Sequence, residues 1–212
     1  MHDIPAHGTP ADPAAPAAGP ADFADGKAAL RRRAAATRAA RPAQDRKAAA
    51  RLVRDHVLEL PQVAAAGTIA AYYSVGTEPD TRGLVFALWK RGSYVVLPVL
   101  LPDGDLDWAS YEGPDSLAPG PRGLLQPTEP ARGAGTVARA DVVLVPALAV
   151  DGCGNRLGRG GGSYDRALAR VGGQVPTIAL LYDGELVERV PVGPHDRPVR
   201  AVARPAHGIT WF

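Results

Sequence analysis

Two textures alternate along the chain. Residues 27–40, KAALRRRAAATRAA, hold almost no large apolar side chain but consist of strong helix formers. Pro42 bounds them, because proline disfavours helix in the residue before it. Residues 43–60 carry Leu52, Val53, Val57, Leu58 and Leu60 for an apolar stripe, and Pro61 closes that second helix. From residue 67 the pattern changes. GTIAAYYSV (67–75), SYVVLPVLL (93–101), DVVLVP (141–146) and TIALLY (177–182) are short, apolar and β-branched or aromatic, as buried strands are. Helical spacing recurs at 81–91, with Leu84, Val85, Leu88 and Trp89 on one face, and again at 163–171. Residues 106–111 alternate weakly and predict an edge strand. Residues 113–135 are rich in proline and glycine and predict a long irregular connection, a kind of loop that is often functional. Two short apolar pieces, 199–203 and 209–212, end the chain.

Apolar strands separated by helices predict an α/β fold: a single domain with a mostly parallel sheet covered by helices on both faces. That domain is expected to span residues 25–212. Residues 1–24 are rich in alanine and proline, carry few large apolar groups and are expected to be a disordered leader. In a sheet of this kind, ligands bind in loops beyond the carboxyl ends of the strands.

Composition narrows the function. No apolar run approaches the roughly 18 to 20 residues a membrane helix needs, and the proline-broken start is not a secretory signal. The one cysteine, Cys153, excludes an internal disulfide. These features predict a cytoplasmic protein, expected to be a monomer, with no membrane partner. The net charge of +2 is uneven: ten Lys and Arg lie between Lys27 and Arg54 against one acid, Asp45, and the remainder carries 14 basic and 21 acidic residues. Such a block suits an anionic partner, a nucleotide or a nucleic acid.

The densest chemistry lies in DGCGNRLGRGGGSYDR (151–166). Gly158, Gly160, Gly161 and Gly162 allow the backbone to approach a ligand and to present successive N–H groups to an anion. The helix expected after them adds favourable potential for phosphate. Arg156 and Arg159 match phosphate oxygens, and Asp165 offers a hard oxygen to the Mg²⁺ that travels with a triphosphate. The segment is not a G-x-x-x-x-G-K-[ST] loop, and GAGTVA (133–138) precedes a strand instead of following one, so it is no dinucleotide fingerprint. Taken alone, the glycine cluster is equally compatible with a surface turn.

Larger patterns carry a resemblance. VPALAVDGCGNRLGRGGGSYDRAL (145–168) resembles the signature of the 5-formyltetrahydrofolate cyclo-ligase family, also called methenyltetrahydrofolate synthetases. AYYSVGTEPDTRGLVFALWKRGSYVVLPVL (71–100), KAALR (27–31), GLLQP (123–127) and PHDRPV (194–199) resemble further blocks of that family, in its order. The resemblance implies ATP-driven closure of 5-formyltetrahydrofolate to 5,10-methenyltetrahydrofolate, with release of ADP and phosphate. It also implies site residues. Lys27, Arg31, Arg156, Gly158, Arg159, Gly160, Gly161, Gly162, Ser163 and Tyr164 would bind ATP. Tyr73, Glu78, Gly161 and Tyr164 would hold the folate, Arg156 and Tyr164 would act in catalysis, and Asp165 and Asp196 would hold Mg²⁺. Three positions depart from the family pattern: Ser163 replaces one of an aromatic pair, Val150 stands for a phenylalanine, and Glu185 for a late glutamine.

Other reactive side chains have plainer readings. Cys153 has no basic partner at catalytic spacing, and His56, His195 and His207 lack metal-ligand spacing. Asp80 and Thr81 are suited to cap the following helix. Two alternatives to the enzyme remain: a nucleic-acid-binding module using the basic block, and a non-catalytic binder of ATP or folate. Against the first, the chain shows neither interleaved aromatic and basic residues nor a known nucleic-acid motif.

Overall fold

The structure is a computed structural model and describes residues 20–212. It opens with α1 (Pro20–Ala40), α2 (Ala43–Leu58) and the single turn α3 (Pro61–Ala64). Next come β1 (Thr68–Ala70), α4 (Arg82–Lys90), β2 (Tyr94–Leu100) and β3 (Leu106–Ser110). A short hairpin of β4 (Leu117–Pro119) and β5 (Leu125–Pro127) precedes β6 (Val142–Pro146), β7 (Ala149–Asp151) and β8 (Arg156–Leu157). The chain ends with α5 (Ser163–Leu168), β9 (Thr177–Leu180), β10 (Leu186–Val187), β11 (Ala201–Arg204) and β12 (Gly208–Trp211). The expected disordered leader falls mostly on residues 1–19, outside the described residues; residues 20–24 are the start of α1.

Seven strands form the main sheet in the order β12-β11-β9-β6-β1-β2-β3. The inner strands run parallel, and only the edge pairs β11–β12 and β2–β3 are antiparallel. The chain first steps from β1 outward to β2 and then returns to the other side of β1 as β6. That reversal opens a crevice beyond the carboxyl ends of β1 and β6, where ligands of such sheets bind.

Strand alternation sends one set of side chains to each face. Ile69, Val95, Leu97, Val142, Leu144, Ile178 and Leu180 meet Val53 and Val57 of α2 and Leu84, Val85 and Leu88 of α4. On the other face, Ala70, Val96, Val143, Val145, Ala179 and Val202 pack against Ala167 and Leu168 of α5 and against Val137 in the 3-10 segment Ala134–Arg139. Both faces are covered, the second by the shorter elements. The helix α1 lies elsewhere: its Leu30 packs on Ala149, Leu157 and Val190 beside the small β10-β7-β8 sheet.

Four expectations need correction. The first strand stops at Ala70 instead of running to residue 75, because the following loop finds its hydrogen bonds in side chains. Thr81 donates its hydroxyl to the Tyr72 carbonyl (2.6 Å) and accepts the Ser74 N–H (2.9 Å), while Glu78 accepts the Val75 N–H (2.9 Å). With backbone groups so satisfied, no ladder is required. Secondly, the segment 151–166 is not one loop after DVVLVP: its first part belongs to the β7–β8 hairpin, and the glycines follow that hairpin. Lastly, residues 113–135 contain the β4–β5 hairpin, and the helix from Ser163 ends at Leu168.

The turn of the β7–β8 hairpin is organised by Asp151. Its carboxylate accepts the N–H groups of Cys153, Asn155 and Val190 and the Asn155 side-chain amide, each at 3.0 Å. Burial alone would raise its pKa; the hydrogen bonds from Asn155, Val190 and Cys153 outweigh burial and hold it below the ordinary 3.8. At the other end of the same sheet, Arg38 of α1 is almost fully enclosed. It donates to both Glu185 oxygens (2.7 and 2.8 Å) and to the Ala147 carbonyl (2.6 Å). One guanidinium thus fastens α1 to the end of β6 and to the loop before β10.

Two outcomes follow for stability. Arg38→Ala leaves Glu185 buried without its cation and should cost about 3–5 kcal/mol in urea unfolding. The double change Arg38→Met with Glu185→Leu should cost much less; equal losses in the two variants would contradict the pairing. Asp151→Asn turns an amide NH₂ toward the Val190 N–H and the Asn155 amide, and should cost roughly 1–3 kcal/mol near neutral pH. Because the folded pKa is depressed, the Asp151 contribution is intact above about pH 3.8 and is lost as pH falls through the lower folded value. The gap between wild type and variant should therefore close in acid, and a pH-independent gap would refute the assignment.

Candidate active site

A cavity of about 760 Å³ occupies the crevice at the strand reversal. Its walls come from α1, the loop after β1, the ends of β2 and β6, the glycine loop, and the tip of the β4–β5 hairpin. Each ATP-binding and folate-binding residue expected from the sequence lines it: Lys27, Arg31, Tyr73, Glu78, Arg156 and Gly158 through Tyr164. So do Asp165 and Asp196, the expected metal ligands.

The helix α1 delivers two cations. Lys27, Arg31 and Arg38 recur at spacings of 4 and 11 residues, which places them on one helix face. Arg38 anchors that face, and Lys27 and Arg31 extend it to the cavity. Arg31 donates from Nε to the Gly158 carbonyl (2.9 Å) and lies over Gly160. Gly160 has φ of 106°, in the left-handed region that glycine adopts without steric cost. At Gly158 a side chain would collide with Arg156, since an added Cβ would stand 2.7 Å from its Nη1. The glycine cluster is therefore built around two arginines.

Arg156 lies buried under the loop and pairs with Asp165 at 2.7 Å. Asp165 also accepts the Arg197 N–H (3.1 Å). Lys27 pairs with Asp196, which accepts the Gly193 N–H (2.6 Å) as well. Burial would raise the Asp196 pKa, but the Gly193 N–H and Lys27 outweigh it and hold the carboxyl below its ordinary range. Both carboxylates expected to hold Mg²⁺ are thus ion-paired in this state. Among the described residues no group of three or more His, Cys, Asp or Glu side chains is arranged to hold a metal. Two separate carboxylates suit an ion that brings its own phosphate oxygens and waters, and do not form a protein-built cage.

The other end of the cavity is aromatic. Tyr73 is half-buried, 6.5 Å from the Tyr111 ring and under the Arg82 guanidinium at 5.6 Å. Glu78 has a loop-closing duty the sequence did not reveal, on the Val75 N–H, and its second oxygen meets Arg159 at 3.1 Å. The Tyr164 hydroxyl is enclosed, and burial first, then the Glu78 charge, push its pKa far up. It is a neutral O–H donor at every working pH.

Ser163, at the place of an aromatic in the resembling family, has another task. Its hydroxyl donates to the Gly104 carbonyl, which also receives Arg166 (2.6 Å). The β2–β3 turn is thereby tied to the glycine loop. Sequence reasoning missed Arg38, Tyr72, Gly104 and Glu185. The 11-residue spacing from Lys27 to Arg38 was a usable signal for one; the rest depend on contacts across the fold. The expected cap is not formed: Thr81 holds the N-cap position but turns its hydroxyl back to the Tyr72 carbonyl, and Asp80, one residue earlier, accepts from the helix backbone only the Arg82 N–H (2.9 Å).

Comparison with known proteins agrees with this geometry. A model of the 5-formyltetrahydrofolate cyclo-ligase family matches residues 24–205. A 5-formyltetrahydrofolate cyclo-ligase of Mycolicibacterium smegmatis is 42% identical over 147 residues, covering 67% of this chain and 75% of the relative. That of Escherichia coli K12 is 34% identical over 158 residues, covering 73% of this chain and 87% of the relative. The solved structure of Aquifex aeolicus 5,10-methenyltetrahydrofolate synthetase shares the fold, with a TM-score of 0.75 at 24% identity over 87% of this chain and 92% of that one. The chain belongs to the 5-formyltetrahydrofolate cyclo-ligase family.

Proposed function

We propose that this chain catalyses the ATP-dependent cyclisation of 5-formyltetrahydrofolate to 5,10-methenyltetrahydrofolate, releasing ADP and phosphate. The observation that carries this reading is one continuous cavity lined both by a cationic, glycine-rich set of groups and by tyrosines with Glu78. The first set suits a triphosphate and the second a pterin, whose amino and ring N–H groups a carboxylate accepts. The proposal includes a monomer and a cytoplasmic location. No helix among the described residues is long and apolar enough to cross a membrane.

A formamide oxygen is a poor leaving group. In the proposed reaction that oxygen attacks the γ-phosphorus, the bond to ADP breaks, and the resulting iminium phosphate is electrophilic at carbon. N10 attacks that carbon, loses its proton, and the C–O bond breaks to release phosphate. Little covalent work is left to the protein, which positions two substrates and neutralises charge. Lys27 and Arg31 would meet the phosphates from α1, Arg156 and Arg159 from the loop, with the N–H groups of Gly158 to Ser163 beneath. Arg156 and Tyr164 would stand at the reacting group, the first as cation and the second as O–H donor. Tyr73 would face the pterin ring. Asp165 and Asp196 would hold Mg²⁺, which when bound neutralises phosphate charge.

The basic block that favours nucleic acid has internal partners. Lys27 engages Asp196, Arg31 the Gly158 carbonyl, and Arg38 Glu185, while Arg41 stacks over the Tyr182 ring at 4.5 Å. Arg32, Arg33, Lys47 and Arg51 stay exposed, so the block is only partly engaged internally, and it lacks the interleaved aromatic residues of a nucleic-acid surface.

Purified protein with Mg-ATP and 5-formyltetrahydrofolate should generate the methenyl chromophore, and absence of that absorbance together with absence of calorimetric ATP binding would overturn the proposal. ATP and folate binding without turnover would instead mark a non-catalytic binder. Asp165→Ala should lower kcat on the order of 100-fold and raise the Mg²⁺ concentration for half-maximal rate. A fall in kcat at unchanged Mg²⁺ dependence would refute the metal assignment and leave Asp165 as the partner that positions Arg156.

A further inference from the structure

Of the neighbouring Tyr72 and Tyr73, Tyr72 has the more unusual side chain. It leaves the end of β1 directly beneath the cavity, is 4% exposed, and lines the cavity wall. Its hydroxyl is enclosed and has no hydrogen-bond partner among the described residues. The Tyr164 hydroxyl is in the same condition. Unpaired buried polar atoms are rare in folded proteins, and each calls for a cause. Of the two, Tyr164 already has a place in the reaction. Tyr72 has none.

The surroundings indicate what kind of group would complete it. Burial raises the Tyr72 pKa well above its ordinary value, and after burial the charges that act on the hydroxyl are Glu78, Arg38, Tyr164 and Glu185. Arg38 and Glu185 satisfy one another, and Glu78 is held by the Val75 N–H and Arg159. None of the four takes the Tyr72 proton. The phenol O–H is therefore a donor without an acceptor, in the wall of a cavity that Glu78, Tyr73, Pro98, Leu100, Leu106 and Leu125 also line.

A donor beside an acceptor is the complement of a lactam edge, which offers a carbonyl oxygen next to a ring N–H. We propose that the Tyr72 hydroxyl is a substrate-binding donor that pairs with the ring carbonyl of the pterin while Glu78 accepts its neighbouring N–H groups. This rests on the folate reading of the cavity. It assigns Tyr72 to specificity: a site that hydrogen-bonds a carbonyl discriminates against a ring lacking one, because the donor is then left buried and unpaired.

Tyr72→Phe separates this role from a packing role, since it removes one oxygen and preserves the ring. With no substrate, the variant should melt at the wild-type temperature or higher, because the hydroxyl it removes was unpaired. The KM for 5-formyltetrahydrofolate should rise about five- to twenty-fold, the KM for ATP should stay unchanged, and the thermal shift produced by folate alone should shrink. An unchanged folate KM and folate-induced shift would overturn the assignment. So would equal rises in both KM values with a lowered melting temperature, which would mark a structural residue. Wild-type protein that forms no chromophore would instead sink the underlying function, so the two failures are distinct.

Discussion

The geometry of the cavity rests on how α1 is fastened across the end of the sheet, and that fastening is the enclosed Arg38–Glu185 pair. Removing two charges from water is expensive, and a buried ion pair is weak evidence for net stability. Its consequence here is geometric. Arg38 holds Glu185 and the Ala147 carbonyl with a rigid planar fork, so the helix cannot slide or roll without leaving a charge unpaired. Lys27 and Arg31 stand on the same face, three and two turns away. Their placement over the glycine loop is inherited from a contact well below it.

Around that fixed frame the site balances its charges in pairs. Lys27 faces Asp196, Arg156 faces Asp165, and Arg159 faces Glu78. A cavity that carried its cations unpaired would gain more from phosphate but would repel itself when empty. Pairing each with a carboxylate removes the repulsion and keeps each guanidinium or ammonium oriented. Under the proposed reaction a triphosphate would replace the carboxylates as partner and would free two of them, Asp165 and Asp196, as hard oxygen donors. Those two carboxylates would then be dual, orienting a cation in one state and open to a metal in the next.

Much of this was legible in the sequence. Strand and helix placement followed from apolar patterning, and the residues quoted from the five family-like blocks all meet at one cavity although residues 27 and 196 are far apart in the chain. The misreadings share a cause. Residues 71–75 look like strand because they are apolar, but the side chains of Thr81 and Glu78 satisfy the backbone that a ladder would have paired. Local apolarity cannot register a hydrogen bond supplied from three to nine residues on. Likewise Ala149 to Leu157 forms a hairpin whose turn depends on Asp151, a residue that in the sequence looked like the start of the glycine loop.

Ser163 shows how a departure from a family pattern is read more safely from contacts than from letters. By letters it is one aromatic fewer than the resembling family carries. In the fold, its hydroxyl reaches the Gly104 carbonyl, which Arg166 also binds, and Asp105 beside it pairs with Arg170. The β2–β3 turn is thus moored to α5 by three side chains within eight residues of one another. An aromatic ring at 163 could not donate that hydrogen bond. The tether holds the turn between Leu100 and Leu106, and both leucines line the cavity, so the hydroxyl at 163 acts on the apolar part of the wall through the β2–β3 turn.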